Sequence, residues 1–589
     1  MQDLVAFYNN QISIYSGELS QVKKQLYTSS MFRLAVFCLA VIGVYFSMEN
    51  TRLVWAIITI TIVLFIFLVS RHSDLQHKRD RLRALLQINT TEIEVLHRRF
   101  QNLPDGSAYK NPEHHFSQDL DLFGRGSFYQ YANRTVLKQG GDVFSTLLLE
   151  NSIEGIPAKQ EAIKELGQMP EWRHNFSAIA SLVKTETSTK MITKWLSSYT
   201  PFIPDMLRFV PWVFSIASLG VIALYFLNVL TESMLILWLF IGLGITGIFT
   251  KKITKLASDT SKIQSTFEQY NKLLTIFEDT EFKSVLLKEK RERIINDGHK
   301  TSMILRDFSK LLNSLDQNNN LIYLIFGNGL FLRSLYTCFH IEKWIKAHGS
   351  SVKEWFKVIA FFDAYISLGN FAFNHPEYSF PKISDERSVL KSEEAGHPLL
   401  DPKKRILNDF QIDKEQFFII TGANMAGKST FLRTVSLQIV MANVGLPVCA
   451  TTTDYSPIKL ITSMRTADSL TDDESYFFSE LKRLKFIVDE IKNDRYFIVL
   501  DEILKGTNST DKAKGSRKFV EKLVTSKSTG IIATHDLSLC ETANDLPQVQ
   551  NFYFDAEIIN DELYFDYKLK QGICQNMNAS FLLKKMEIV

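Results

Sequence analysis

Three short stretches carry side chains whose types and spacing suit chemistry on a polyphosphate. The first is TGANMAGKST, Thr421–Thr430. Its Gly422-x4-Gly427-Lys428-Ser429 pattern is that of a phosphate-binding loop, in which backbone N–H groups and a helix N-terminus wrap the phosphates. Gly422, Ala423, Asn424, Met425, Ala426, Gly427, Lys428, Ser429 and Thr430 are therefore the candidate nucleotide-binding residues. Lys428 would neutralise the β- and γ-phosphate oxygens, and the Ser429 hydroxyl would ligate Mg2+. The second stretch, YFIVLDE, ends in Asp501 and Glu502. A buried strand delivering two carboxylates suits a magnesium nucleotide: Asp501 would hold the metal through water, and Glu502 would be the general base for the attacking water. The third, GIIATH, ends at His535. A lone histidine at a strand end is more often structural, but in this order it suits a sensor of the γ-phosphate or a group that positions the water. Lys428, Glu502 and His535 are the candidate catalytic residues, with ATP and Mg2+ as cofactors.

These groups need a scaffold of alternating strands and helices. The loop should join a strand at Phe417–Ile420 to a helix beginning near Lys428. From about Val389 onward apolar strands alternate with helical stretches, so the pattern predicts a mostly parallel sheet over residues 389–589. The rest of the 589-residue chain is of another kind. It is too long for one core, and its 46% hydrophobic and 22% charged residues are unevenly spread. The net charge of +3 is too small to argue for a nucleic-acid partner. The five cysteines show no metal-binding spacing and read as reduced thiols of a cytosolic protein.

Four apolar runs stand out: Leu34–Met48, Leu53–Ser70, Val210–Leu230 and Met234–Thr250. Each approaches the ~20 residues that a bilayer core of ~30 Å requires, so two helical membrane hairpins are expected, near 34–70 and at 210–250. Basic residues flank them at Lys23, Lys24, Arg33, Arg71–Arg83 and Lys251–Lys255, whereas the tight intervening turns carry only Arg52. That asymmetry predicts a multi-pass protein of the cytoplasmic (inner) membrane, with its N-terminus and its nucleotide domain in the cytoplasm. Residues 1–108 would hold an N-terminal helix, the first hairpin and a membrane-proximal helix. Residues 109–209 would form the first part of a helical core, and 251–388 lever-like helices and its second part. Leu321–Leu335 is apolar but interrupted by Arg333, which predicts a buried soluble helix rather than a fifth span.

At this level of detail the chain resembles the MutS family of DNA mismatch-repair ATPases. The resemblance is carried by TGANMAGKSTFLRTV, by LDEILKGTNSTDK and by ATHDLSL. HPLL (His397–Leu400) and ILNDF (Ile406–Phe410) resemble the approach to the nucleotide pocket, and FGRGSFYQYANRTVLKQGG, AKQEAIKEL and FFDAYISLGNFA resemble the helical core. It covers roughly residues 115–200 and 300–580. DSLTDDESYFFSELKRL (Asp468–Leu484) is similar to the segment that reaches across a dimer, which implies that Ser475 contacts the partner's nucleotide and that Glu480 begins the following helix. The resemblance thus implies a homodimer through the nucleotide domains with composite ATP sites. The departures are specific. Ala423 stands where the family usually has proline, and Asp473 and Glu474 replace a Gly–basic pair. No mismatch-reading domain is recognisable, the second hairpin sits where family members carry the DNA clamp, and no C-terminal nuclease is expected. The expected protein is a multidomain, membrane-anchored MutS-like ATPase in contact with lipid. DNA is a candidate substrate, but mismatch recognition itself is not expected. The alternative is a transporter-like ATPase or nucleotide-gated scaffold with a lipid or protein client.

Overall fold

The computed structural model describes residues 2–182, 188–296, 299–317, 320–465, 476–505, 507–559 and 562–575. Two long helices open the chain, α1 (Gln2–Phe46) and α2 (Thr51–Leu96), each joining a polar half to an apolar half without a break. The turn between them is closed by Asn50, whose side chain accepts from the Leu53 N–H at 3.3 Å. Their apolar halves expose large side chains; Phe46 is 81% exposed. Their polar halves pack on the body of the protein, where Leu19, Val22, Leu82 and Leu85 close over Ala178.

A helical body follows: α3 (Phe128–Ala132), α4 (Lys138–Leu149), α5 (Ile156–Gly167), α6 (Pro170–Ser181) and α7 (Thr189–Ser198). Next come α8 (Val210–Phe226), α9 (Glu232–Gly247), α10 (Thr250–Glu278) and α11 (Val285–Glu292). A short ribbon, β1 (Ile295–Asn296) and β2 (His299–Lys300), leads to α12 (Thr301–Asp316), α13 (Asn328–Phe331), α14 (Arg333–His348) and α15 (Val352–Asn374). By length and composition, α1, α2, the segment Asp205–Phe226 and α15 could each cross a membrane, as could α9 joined to α10 across a 66° bend. Burial separates these candidates. α15 is buried among α4, α5 and α6 and forms the centre of the helical body. The other apolar helices leave most of their apolar side chains exposed.

The last apolar run, Met234–Thr250, lies in α9 and ends at the bend into α10. One expectation needs correction here: Leu321–Leu335 is not a buried helix. It comprises a wide helical turn, Tyr323–Gly327, then α13 and the start of α14. Its apolar side chains are largely outside, with Leu321 68% exposed. α13 packs on α8 and α9, so close that a Cβ on Gly242 would lie 2.2 Å from the Gly329 carbonyl oxygen. The element sits against the second apolar hairpin because two glycines allow the backbones to meet, a contact that hydropathy does not encode.

The C-terminal part holds two sheets. A four-stranded sheet is ordered β3-β7-β4-β5, from β3 (Lys382–Ile383), β4 (Ser388–Ala395), β5 (Asn408–Asp413) and β7 (Thr452–Tyr455). The second, six-stranded sheet is ordered β14-β11-β6-β10-β9-β8. Its strands are β6 (Phe417–Gly422), β8 (Lys459–Ser463), β9 (Tyr496–Asp501), β10 (Thr529–Ala533), β11 (Val549–Phe554) and β14 (Leu569–Gln571), with a separate ribbon of β12 (Glu557–Ile559) and β13 (Glu562–Tyr564) before β14. All neighbours are parallel except the edge pair β11–β14. β6 is buried along its whole length, as expected of a strand covered on both faces. Helices α16 (Lys428–Val444), α17 (Tyr476–Glu490) and α18 (Ser509–Thr525) complete this layer.

Candidate functional site

Parallel pairing brings the three sequence motifs to one edge. In the ladder Ile420 lies beside Ala533, and Ala533 beside Asp501. The carboxyl ends of β6, β10 and β9 are therefore adjacent, which is where open parallel sheets bind ligands. From β6 the chain turns sharply. Gly422 has φ +148°, Met425 +67° and Gly427 +105°, and α16 starts at Lys428. Glycine at Gly422 and Gly427 tolerates backbone that side chains rarely adopt. A Cβ on Gly422 would also lie 2.5 Å from the Phe554 carbonyl oxygen on β11.

Lys428 is buried, and its Nζ donates to the carbonyls of Gly422 at 2.7 Å and Ala423 at 2.9 Å. Burial holds its ammonium below the usual lysine range, opposed by the nearby Glu502 and Asp501 carboxylates. The Ser429 hydroxyl donates to Asp501 Oδ2 at 2.7 Å. Burial raises the Asp501 carboxyl, and the Ser429 hydrogen bond works against it. A carboxylate and a hydroxyl at this separation form a hard-oxygen pair of the kind that binds Mg2+ together with water and substrate phosphates. Among the described residues, no group of three or more His, Cys, Asp or Glu side chains could hold a metal alone, so such an ion would depend on the nucleotide for further ligands.

Glu502 follows with φ +52°, and its N–H donates to the Ala533 carbonyl at 2.9 Å. This left-handed turn aims the carboxylate across the strand ends, where Oε1 lies 3.0 Å from His535 Nε2. The histidine hydrogen bond, with Lys505 assisting, brings the Glu502 carboxyl down to about 2 despite partial burial. His535 Nε2 is also 3.3 Å from Lys428 Nζ. Lys428, Ser429, Asp501, Glu502 and His535 thus converge. Ala423, Asn424, Met425, Ala426 and Gly427 form the loop around Lys428, and Thr430 lies in the first turn of α16. Ser475, together with Asp473 and Glu474, lies outside the described residues.

Two further residues take part: Glu480, which lies inside α17 (Tyr476–Glu490) rather than beginning it as expected, and Tyr567, which no motif marked. Glu480, 3% exposed in α17, accepts from the Leu504 N–H at 2.6 Å and the Lys505 N–H at 3.0 Å. It thereby braces the backbone immediately after Glu502, where Leu504 also has positive φ, +60°. Tyr567 lies far along the chain, yet a Cβ on Gly427 would be 3.1 Å from its ring. Its backbone is pinned by Asn408, which donates to the Tyr567 carbonyl at 3.0 Å. A part-exposed aromatic face beside a phosphate loop is the kind of surface on which a nucleobase stacks. The available sequence signal was weak: ILNDF contains Asn408, but nothing links it to Tyr567 before folding.

Comparison with known proteins supplies independent evidence. The chain is 30% identical over 223 residues to MutS protein homolog 4 of Homo sapiens, covering 36% of this chain and 23% of that protein. It is 31% identical over 317 residues to the DNA mismatch repair protein MutS of Finegoldia magna, covering 51% of this chain and 35% of that protein. With MutS of Desulfatibacillum aliphaticivorans the figures are 32% over 225 residues, 36% and 25%. The chain therefore spans only 23–35% of the length of these curated relatives. Residues 418–585, which include all three strand ends and Tyr567, match the family model of MutS domain V.

Proposed function

We propose that this protein is a membrane-anchored, MutS-like ATPase. The observation that carries the reading is the meeting of Ser429 with Asp501 and of Glu502 with His535 around Lys428. Backbone N–H groups of the loop and the start of α16 bind the phosphates, and Lys428 exchanges its loop carbonyls for phosphate oxygens. Ser429 and Asp501 would hold Mg2+, which supplies charge neutralisation on the phosphates when bound. Glu502, ionised at neutral pH, accepts a proton from the attacking water, and His535 fixes the carboxylate's direction. Tyr567 offers a face for the purine, and Ser475 would complete the site of a second copy in a homodimer.

The four exposed apolar helices would lie in the cytoplasmic membrane, with the N-terminus and the nucleotide domain in the cytoplasm. DNA is the candidate substrate on the strength of the relatives' names. One observation favours the second reading, a nucleotide-gated membrane ATPase with a lipid or protein client. α2 runs unbroken from the apolar hairpin to Leu96, and Arg98, in the turn that follows, donates to the carbonyls of Pro398 and Leu400, both at 2.8 Å. On this reading the apolar hairpin would be tied to the loop at His397–Leu400 through α2 and Arg98.

The experiment is ATP turnover by the purified protein in lipid nanodiscs, with and without duplex, branched and single-stranded DNA. Stimulation by one DNA structure supports the DNA reading. Turnover indifferent to all of them moves the client to the membrane, and no turnover at all overturns the ATPase assignment.

A further inference from the structure

Beside the second apolar hairpin the chain builds a cavity that the nucleotide chemistry does not use. One wall is the end of α7 and the segment after it, with Trp195, Tyr199 and Phe202; the other is the start of α10, with Lys252, Lys255 and Asp259. Its volume is about 400 Å3. The first wall is fixed from behind by a buried carboxylate. Glu342 Oε1 accepts from the Tyr199 hydroxyl at 2.9 Å and the Phe202 N–H at 2.7 Å, while Oε2 accepts from the Ile203 N–H at 3.3 Å. The second wall is cationic. Lys252 and Lys255, three residues apart, share a helix face, and Lys252 Nζ stands 5.7 Å from the centre of the Phe202 ring. Neither lysine forms an ion pair among the described residues. Asp259 is the one acidic group lining the cavity, a turn beyond Lys255.

Position gives this pairing its meaning. Lys255 is only eight residues beyond Gly247, the end of α9, in the second turn of α10 past the bend. The opposite wall leads directly into α8 through Met206, Phe209 and Trp212, which are 89%, 65% and 59% exposed. Aromatic residues flanking an apolar helix, followed by lysines, are the arrangement of a membrane interface.

We infer that this cavity binds the phosphate headgroup of an anionic phospholipid, with Lys252 and Lys255 on the phosphate and the acyl chains along Phe209, Trp212 and α8. The inference rests on the membrane reading above. A soluble phosphate ester would meet the same two lysines but would leave the adjoining apolar surface uncovered, so the lipid is the assigned source.

The test uses the full chain in detergent, titrated with phosphatidylglycerol or phosphatidylcholine and read by native mass spectrometry. A variant carrying both Lys252→Gln and Lys255→Gln is compared with Lys522→Gln, an exposed control in the nucleotide domain. The wild type and the control should prefer phosphatidylglycerol, and the double variant should lose about fivefold in affinity per lysine while its affinity for phosphatidylcholine is unchanged. Equal phosphatidylglycerol affinity in the double variant overturns the site. Displacement by glycerol 3-phosphate at the same concentration assigns the lysines to a soluble ester and overturns the lipid. Alkaline carbonate extraction of native membranes separates the two levels. A chain released by carbonate overturns the membrane reading and this site with it. A chain retained in the membrane but without headgroup preference overturns the site alone.

Discussion

Glu502 occupies a left-handed backbone position that a glutamate rarely adopts, and its surroundings explain why the strain persists. The Ala533 carbonyl takes its N–H, His535 takes its carboxylate, and Glu480 ties down the Leu504 and Lys505 N–H groups just beyond it. Strain held in this way tends to concentrate at functional sites, which suits the site proposed above. Glu502→Gln should retain ATP while turnover falls by roughly 10²–10⁴, measured by comparing nucleotide binding with phosphate release; wild-type turnover would remove Glu502 from the role of base. The pH dependence follows from the His535 contact. A carboxyl held near 2 is stabilised relative to the unfolded chain, a contribution present above the ordinary glutamate range and lost only as pH falls towards 2. Glu502 is therefore ionised throughout the working range, and it sets no acid limb there. In His535→Ala the carboxyl should return towards its usual range, so kcat/KM should begin to fall at mildly acidic pH where the wild type is flat. Identical profiles would show that His535 does not set the state of Glu502.

At the scale of elements, the strand–loop–helix unit of β6 and α16 was legible because its signals are local: an apolar run, glycines at fixed offsets and a helix start. The contact of α4 with α15 was not. Asp363 on α15 accepts from the Val136 and Leu137 N–H groups at 3.1 and 2.8 Å, just ahead of α4. Gly140 in the first turn of α4 leaves it room, since a Cβ there would lie 2.0 Å from Asp363 Oδ2. Gly140→Ala should destabilise the helical body by about 1–3 kcal/mol through overpacking, seen as a lower thermal midpoint of the solubilised protein. An unchanged midpoint would mean that Asp363 can move aside at no cost. The small sheet built on β4 and β5 was also missed. β3 and β7 are short, and β4 pairs with β7, which arrives only after the whole helix α16.

For the molecule as a whole, the connection between the apolar hairpin and the C-terminal α/β domain is the feature with most consequence. α2 has 46 residues and spans about 69 Å at helical rise. Beyond its end, Arg98 at φ +64° grips the loop that carries His397 and Leu400. That loop lines a cavity together with Thr430 and Arg433 of α16. Hydrogen bonds from a charged donor contribute about 1.5–3 kcal/mol each, so Arg98→Ala should free the loop. The expected result is a several-fold higher KM for ATP with a smaller change in kcat, measured by steady-state turnover. A pure kcat effect would place Arg98 in the chemistry rather than in positioning the loop.

The sequence by itself determined the candidate groups that converge and the segments that are apolar, because both are properties of short, contiguous stretches. Lys428, Ser429, Asp501, Glu502 and His535 were identified from type and spacing alone, and the structure brings them together at three adjacent strand ends. Only the tertiary structure decided environment and long-range partnership. Val352–Asn374 and Asp205–Phe226 are both long and apolar enough to cross a membrane, yet the first is packed inside the helical body and the second leaves most of its apolar surface exposed. Hydropathy measures what a segment can tolerate, whereas burial depends on which neighbours arrive. Tyr567 beside Gly427, Arg98 on Pro398 and Leu400, and Glu342 behind Phe202 are contacts between residues that are distant in the chain. Their geometry exists only once the helices and sheets have packed.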